Sequence, residues 1–82
     1  MSVDLLTKEQ VRADIAAVLH EAPDAIGDDD NLMDLGVDSL RMMNLILKWG
    51  EAGVQVEFFE LATHVTLAGW WDVLRAKQAA PP

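Results

Sequence analysis

The sequence predicts an all-α fold, a small four-helix bundle of three main helices and one short helix with a long first loop. Three observations predict it. Apolar residues recur at helical spacing in three separate stretches: Val11 to Leu19, Leu40 to Trp49 and Leu67 to Leu74. The one alternating segment, Val54-Gln55-Val56, is too short for a strand and has no second run to pair with. A chain of 82 residues, 51% hydrophobic and 24% charged, has a globular balance and room for a single core.

The first helix begins after Thr7, which stands three residues before Gln10 with capping-box spacing. Val11, Ile15, Val18 and Leu19 then fall on one face, and the pattern runs from Lys8 to His20 before Pro23 closes it. Glu21 to Asp38 reads as a long acidic loop without a basic residue, in which Ile26, Leu32, Met33 and Leu35 are expected to pin the chain onto the core. From Ser39 the helical pattern resumes and continues to Ala52, where Gly53 stops it. Phe58 to Ala62 supplies a helical turn or two. Thr66 caps the last helix, whose Leu67, Trp70, Trp71 and Leu74 read as core and packing residues. Residues 1–78 are taken as one domain and 79–82 as a Pro-rich tail, since Pro81-Pro82 cannot continue a helix.

The helix after Ser39 carries more apolar surface than a core needs. At about 100° per residue, Arg41, Asn44, Lys48 and Glu51 form one polar stripe, and an apolar arc of roughly 220° remains. A helix buried all round would explain such an arc, but so short a chain has few helices to surround another. The favoured reading divides the arc in two. Met42, Leu45, Ile46 and Trp49 face the core, while Leu40 and Met43 form an exposed patch for a partner, with Leu47 at its margin.

Composition excludes several functions. Fourteen acidic residues against six basic ones give a formal charge of -8, which disfavours nucleic acid and anionic membrane surfaces. There is no cysteine, hence no disulfide, no thiolate metal site and no thiol of the chain's own. No apolar run approaches the ~20 residues of a membrane span, and Met1-Ser2-Val3-Asp4 lacks the basic start of a secretory signal, so a cytoplasmic monomer is expected.

Gly36-Val37-Asp38-Ser39-Leu40 lies where the acidic loop meets the two-faced helix. Locally, Asp38 or Ser39 reads as an N-cap. A catalytic serine does not fit: Arg41 stands where a nucleophile elbow needs its second glycine, and His20 and His64 read as surface histidines with no triad logic. Asp28-Asp29-Asp30 does not fit a calcium loop either. Leu32 stands where the fifth position needs an oxygen, and no glutamate stands at the twelfth, so a solvated acidic loop is the expectation and no metal is implied.

Leu35-Gly36-Val37-Asp38-Ser39-Leu40, taken with the length, helix order and long first loop, resembles the acyl and peptidyl carrier proteins over nearly the whole chain. Ser39-Leu40-Arg41-Met42-Met43, Phe58-Phe59-Glu60-Leu61-Ala62 and Trp70-Trp71 are most similar to the aryl carrier domains of siderophore-type nonribosomal synthesis. Fatty-acid carriers usually continue past the serine with an acidic helix, whereas here Arg41 and Lys48 make that face locally basic. Carriers inside large synthetases more often have Gly-Gly-His-Ser.

The resemblance implies 4′-phosphopantetheine esterified to Ser39 by a phosphopantetheinyl transferase, with Asp38 as the motif residue beside it. It implies a non-catalytic carrier that takes an aryl acid of the 2,3-dihydroxybenzoate or salicylate type from an adenylation enzyme (an aryl-AMP ligase) and delivers it to a condensation domain. Leu40, Met43, Phe58 and Ala62 are its implied partner contacts, with Phe59 expected to pack inward and Phe58 outward. A carrier of amino-acid, polyketide or fatty acyl chains is the alternative within the family. A cofactor-free helical interaction module, in which Ser39 is only a cap, is the alternative from another class.

Overall fold

A computed structural model describes residues 6–79. Among them are five α-helices, α1 (Lys8–Val18), α2 (Leu32–Leu35), α3 (Ser39–Glu51), α4 (Phe58–Ala62) and α5 (Leu67–Ala79), with one 3-10 turn at Pro23–Ala25. α1 packs on both α3 and α5, and α4 bridges α3 and α5. The all-helical bundle is therefore observed, with one short helix more than the sequence predicts.

The core follows the apolar periodicity. Val11 and Ile15 of α1, Met42, Leu45 and Trp49 of α3, and Leu67, Trp70 and Leu74 of α5 are buried together. Trp49 and Trp70 meet edge to face, with ring centroids 6.3 Å apart and planes at 84°, joining α3 to α5 through the quadrupoles of their rings. Both indole N–H groups are satisfied: Trp70 Nε1 donates to the carbonyls of Leu61 and His64, and Trp49 Nε1 donates to Asp14 Oδ2 at 2.9 Å. Val54 and Val56 are buried in an extended segment with no strand partner among the described residues.

Helix ends depart from the prediction in instructive ways. Thr7 Oγ1 accepts the Gln10 N–H, as expected, but the Gln10 amide turns forward to Asp14 Oδ1 at 2.9 Å instead of back to the cap. α1 ends at Val18, two residues early, because His20 adopts the left-handed region (φ 59°). Its N–H bonds the Ala17 carbonyl and the Glu21 N–H bonds the Ala16 carbonyl, the paired closure of a Schellman motif. α3 closes the same way, with Gly53 at φ 99°. At the other end of the chain α5 runs to Ala79, and residues 80–82 of the expected tail lie outside the described residues.

The first loop is ordered by tertiary contacts. Ile26 and Leu32 are buried as predicted. Met33 and Leu35 are not pins: they sit on the outer side of α2 and are exposed. Nor is the whole acidic run simply solvated. Asp28 is gripped by Lys8 and Arg12, which hold its carboxyl below the usual carboxylate range, and the Arg12 guanidinium also donates to the Ile26 carbonyl. The Asp28 carbonyl accepts the Ala68 N–H and the Leu32 N–H donates to the Val65 carbonyl, so the loop is laced to the start of α5.

Candidate functional site

The segment predicted to carry function lies at the junction of α2 and α3. α2 is capped by Asn31, whose Oδ1 accepts the N–H groups of Met33 and Asp34. It ends at Gly36, where φ is 119°, a conformation that side-chain-bearing residues rarely adopt. A Cβ there would also lie 3.3 Å from Leu19 Cδ2. The Gly36 N–H bonds the Met33 carbonyl and the Val37 N–H bonds the Leu32 carbonyl, another Schellman closure. Val37, buried at 2% exposure, anchors the chain in the core as it leaves the turn.

Asp38 follows in an extended conformation and is the N-cap of α3: its Oδ1 accepts the Arg41 N–H at 2.9 Å, and its carbonyl accepts the Met42 N–H. The sequence left the cap open between Asp38 and Ser39, and the structure assigns it to Asp38. Ser39 is instead the first helical residue, exposed to solvent, so its hydroxyl is not needed to hold the helix. Because the helix ladder starts at Met42, the N–H groups of Ser39 and Leu40 lack intrahelical partners. The positive end of a 13-residue helix thus faces whatever is joined to that oxygen, a setting that favours an anionic group.

α3 is two-faced as predicted. Met42, Leu45 and Trp49 are buried and Ile46 partly so, while Leu40 is 71% and Leu47 63% exposed, with Met43 at 40%. Leu40 adjoins Ser39, and Met43 lies one turn further on. Phe58 and Ala62 share a side of α4 and are both exposed. The expected inward packing of Phe59 is wrong: Phe59 is 65% exposed and Phe58 37%. Leu61 is the residue of α4 that reaches the core. At about 100° per residue, Phe59 falls nearly opposite Leu61, whereas Phe58 flanks it. The helix is held in this rotation by Glu60, whose carboxylate accepts the Glu57 N–H and an ion pair from Lys77 of α5, contacts that lower its pKa, Lys77 foremost.

The basic face expected on α3 is also corrected. Arg41 folds back so that Nη1 donates to the Gly36 carbonyl at 2.9 Å and lies 3.8 Å from Asp38, and Lys48 pairs with Asp14 at 3.1 Å. Every lysine and arginine of the chain in fact lies within 4.0 Å of one of its own carboxylates. Asp14, only 4% exposed, was not singled out from the sequence. Its signal was present, since it falls beside Val18 on the edge of the apolar face of α1.

A helical bundle of this size, presenting an unspent hydroxyl at the head of a two-faced helix, has the architecture of a carrier protein. The family described as the phosphopantetheine attachment site matches residues 9–74, and the chain belongs to it. Its cofactor is accordingly 4′-phosphopantetheine, attached covalently. The chain is 41% identical over 73 residues to the acyl carrier protein ScoB of Streptomyces coeruleorubidus, covering 89% of this chain and 86% of that protein. It is 35% identical over 74 residues to the phenyloxazoline synthase MbtB of Mycobacterium tuberculosis, covering 90% of this chain and 5% of the synthase. With the enterobactin synthase component B of Escherichia coli it shares 38% identity over 68 residues, 83% of this chain and 24% of that protein. The chain thus spans most of one relative and a minor part of the other two. No solved structure matches. The family is generally non-catalytic, and no helix among the described residues is long and apolar enough to cross a membrane.

Proposed function

We propose that Ser39 Oγ is the attachment point and that the chain is an aryl carrier protein. In this reading it holds an aryl acid of the 2,3-dihydroxybenzoate or salicylate type as a thioester. The single observation that carries the attachment point is the division of labour at the head of α3: Asp38 caps the helix, leaving Ser39 exposed and uncommitted. The bound arm ends in a thiol, which a chain without cysteine lacks. The chain's own residues orient the arm. Val37 anchors the turn, Asp38 sets the helix start, and the free amides of Ser39 and Leu40 favour the anionic linkage. The chain then delivers its tethered cargo at high local concentration and stabilises no transition state.

The aryl assignment draws support from two relatives whose names refer to phenyloxazoline and enterobactin synthesis. Partners in this reading are a phosphopantetheinyl transferase, an aryl-adenylating enzyme and a condensation domain. The last two meet the exposed Leu40, Met43, Phe58 and Ala62. Residues 1–78 act as the carrier domain, in the cytoplasm. A second reading, a carrier of other acyl chains, is favoured by the similarity to an acyl carrier protein along most of its length.

Incubation with coenzyme A and a broad-specificity transferase, followed by intact mass, tests the attachment point. One phosphopantetheine adduct is expected on the wild type and none on Ser39→Ala. An adduct persisting on Ser39→Ala refutes it. Competitive loading with salicylate, 2,3-dihydroxybenzoate, amino acids and malonyl donors, each with its own activating enzyme, separates the two readings. Preferential loading with malonyl or amino-acyl groups overturns the aryl assignment.

A further inference from the structure

We propose that Arg41 is a positioning residue for the modification of Ser39, an inference that rests on Ser39 being the attachment point. Arg41 occupies the third position of α3, where the helix dipole disfavours a cation. Its side chain folds back along the turn, although part of it stays exposed. Nη1 reaches back across the turn to the Gly36 carbonyl at 2.9 Å and lies 3.8 Å from Asp38 Oδ2, while its own backbone N–H donates to Asp38 Oδ1 at 2.9 Å. One residue therefore holds both ends of the short path from Gly36 to Asp38 that delivers Ser39. Val37, between them, is fixed in the core. Of the segment 36–39, only the Ser39 side chain is left without a hold.

The arrangement is suited to geometry more than to stability. The Arg41 and Asp38 side chains are 41% and 63% exposed, and ion pairs so placed add little to folding. The direction of the Ser39 Cα–Cβ bond, by contrast, is set by the backbone that Arg41 ties down. In the modification, a bond forms between Ser39 Oγ and the phosphorus that carries the pantetheine arm of coenzyme A. The P–O bond to adenosine 3′,5′-bisphosphate breaks, and the hydroxyl proton passes to a base of the transferase or to water. A displacement of the attacking atom by about 1 Å can cost on the order of 100-fold in such a step.

The test is the steady-state modification of the full chain by a phosphopantetheinyl transferase with coenzyme A, kcat and KM resolved separately. It compares the wild type, Arg41→Ala, Arg41→Lys and Ser39→Ala. Thermal melts and amide hydrogen exchange of the unmodified proteins are measured alongside. Arg41→Ala is expected to melt within a few degrees of the wild type and to lose roughly tenfold or more in kcat with KM little changed. The backbone amide at position 41, which donates to Asp38 Oδ1, should also exchange faster. Arg41→Lys, which keeps a donor for the Gly36 carbonyl, should fall between the two in kcat. A wild-type kcat for Arg41→Ala, or a rise in KM alone, overturns the proposal, the latter because it marks contact with the transferase instead. If Arg41→Ala does not fold, Arg41→Lys decides: a wild-type kcat overturns the proposal and a reduced kcat at constant KM supports it. Failure of the wild type to be modified, or modification of Ser39→Ala, sinks the attachment point itself and this proposal with it. That result is distinct from normal labelling at Ser39 with an unaltered Arg41→Ala kcat.

Discussion

Asp14 gathers three donors, and replacing it by alanine separates the one that matters from the two that do not. Trp49 Nε1 donates to Asp14 Oδ2 at 2.9 Å inside the core, where Trp49 is fully buried. The other two donors, Gln10 and Lys48, are exposed and can turn to water when the carboxylate is gone. Losing a buried hydrogen bond to a charged group costs about 1.5–3 kcal/mol, and alanine returns roughly 0.5 kcal/mol of helix propensity in α1. The expected loss is about 1–2.5 kcal/mol. For 82 residues total stability is of order 4–12 kcal/mol, so the variant still folds, with a melting temperature lower by roughly 4–20 °C. Urea unfolding of Asp14→Ala, Trp49→Phe, the double variant and Lys48→Ala supplies the cycle. Coupling between Asp14 and Trp49 should be about 1 kcal/mol or more, and Lys48→Ala should cost under about 1 kcal/mol because the ammonium is 58% exposed. The reasoning is refuted if Lys48→Ala costs as much as Asp14→Ala, or if the Asp14 and Trp49 changes simply add.

Three further outcomes are expected. His20→Gly should raise the urea midpoint by the equivalent of about 0.5–1 kcal/mol, since His20 is exposed and held at φ 59°; an unchanged or lower midpoint argues against backbone strain there. Met43→Asp should leave far-UV circular dichroism nearly intact while weakening acyl transfer to a condensation partner, and global unfolding would instead place Met43 in the core. The lowered pKa values of Asp28, set first by Lys8 and then by Arg12, and of Glu60, set by Lys77, make both carboxylates stabilising above their unfolded values near 3.8 and 4.5. That stabilisation fades as pH falls below those values and is gone under the depressed folded ones, so Asp28→Asn and Glu60→Gln should flatten the acid limb of a melting-temperature profile.

Much of the architecture was legible because it repeats. The three long helices announce themselves by apolar spacing, and the two faces of α3 could be separated by angle alone: Leu45 and Trp49 are fully buried while Leu40 and Leu47 stand out. What escaped was held by contacts distant in sequence. α2 is only four residues long and is tied down by the Leu32 N–H on the Val65 carbonyl at 2.7 Å. The rotation of α4, and with it the exposure of Phe59, depends on Lys77 of another helix. Asp14 finds its indole partner 35 residues away. The serine was legible as a motif, but which of two neighbouring oxygens caps the helix could be settled only by geometry.

Since every lysine and arginine is already paired within the chain, the remaining carboxylates dominate the far field. Glu21, Asp24, Asp29, Asp30 and Asp34, five of the six acidic residues between Glu21 and the motif, have no lysine or arginine partner. Encounter with a positively charged enzyme should therefore be hastened over distances of about a Debye length, ~8 Å at physiological ionic strength, and slowed by added salt, while the apolar grip that follows stays largely indifferent to it.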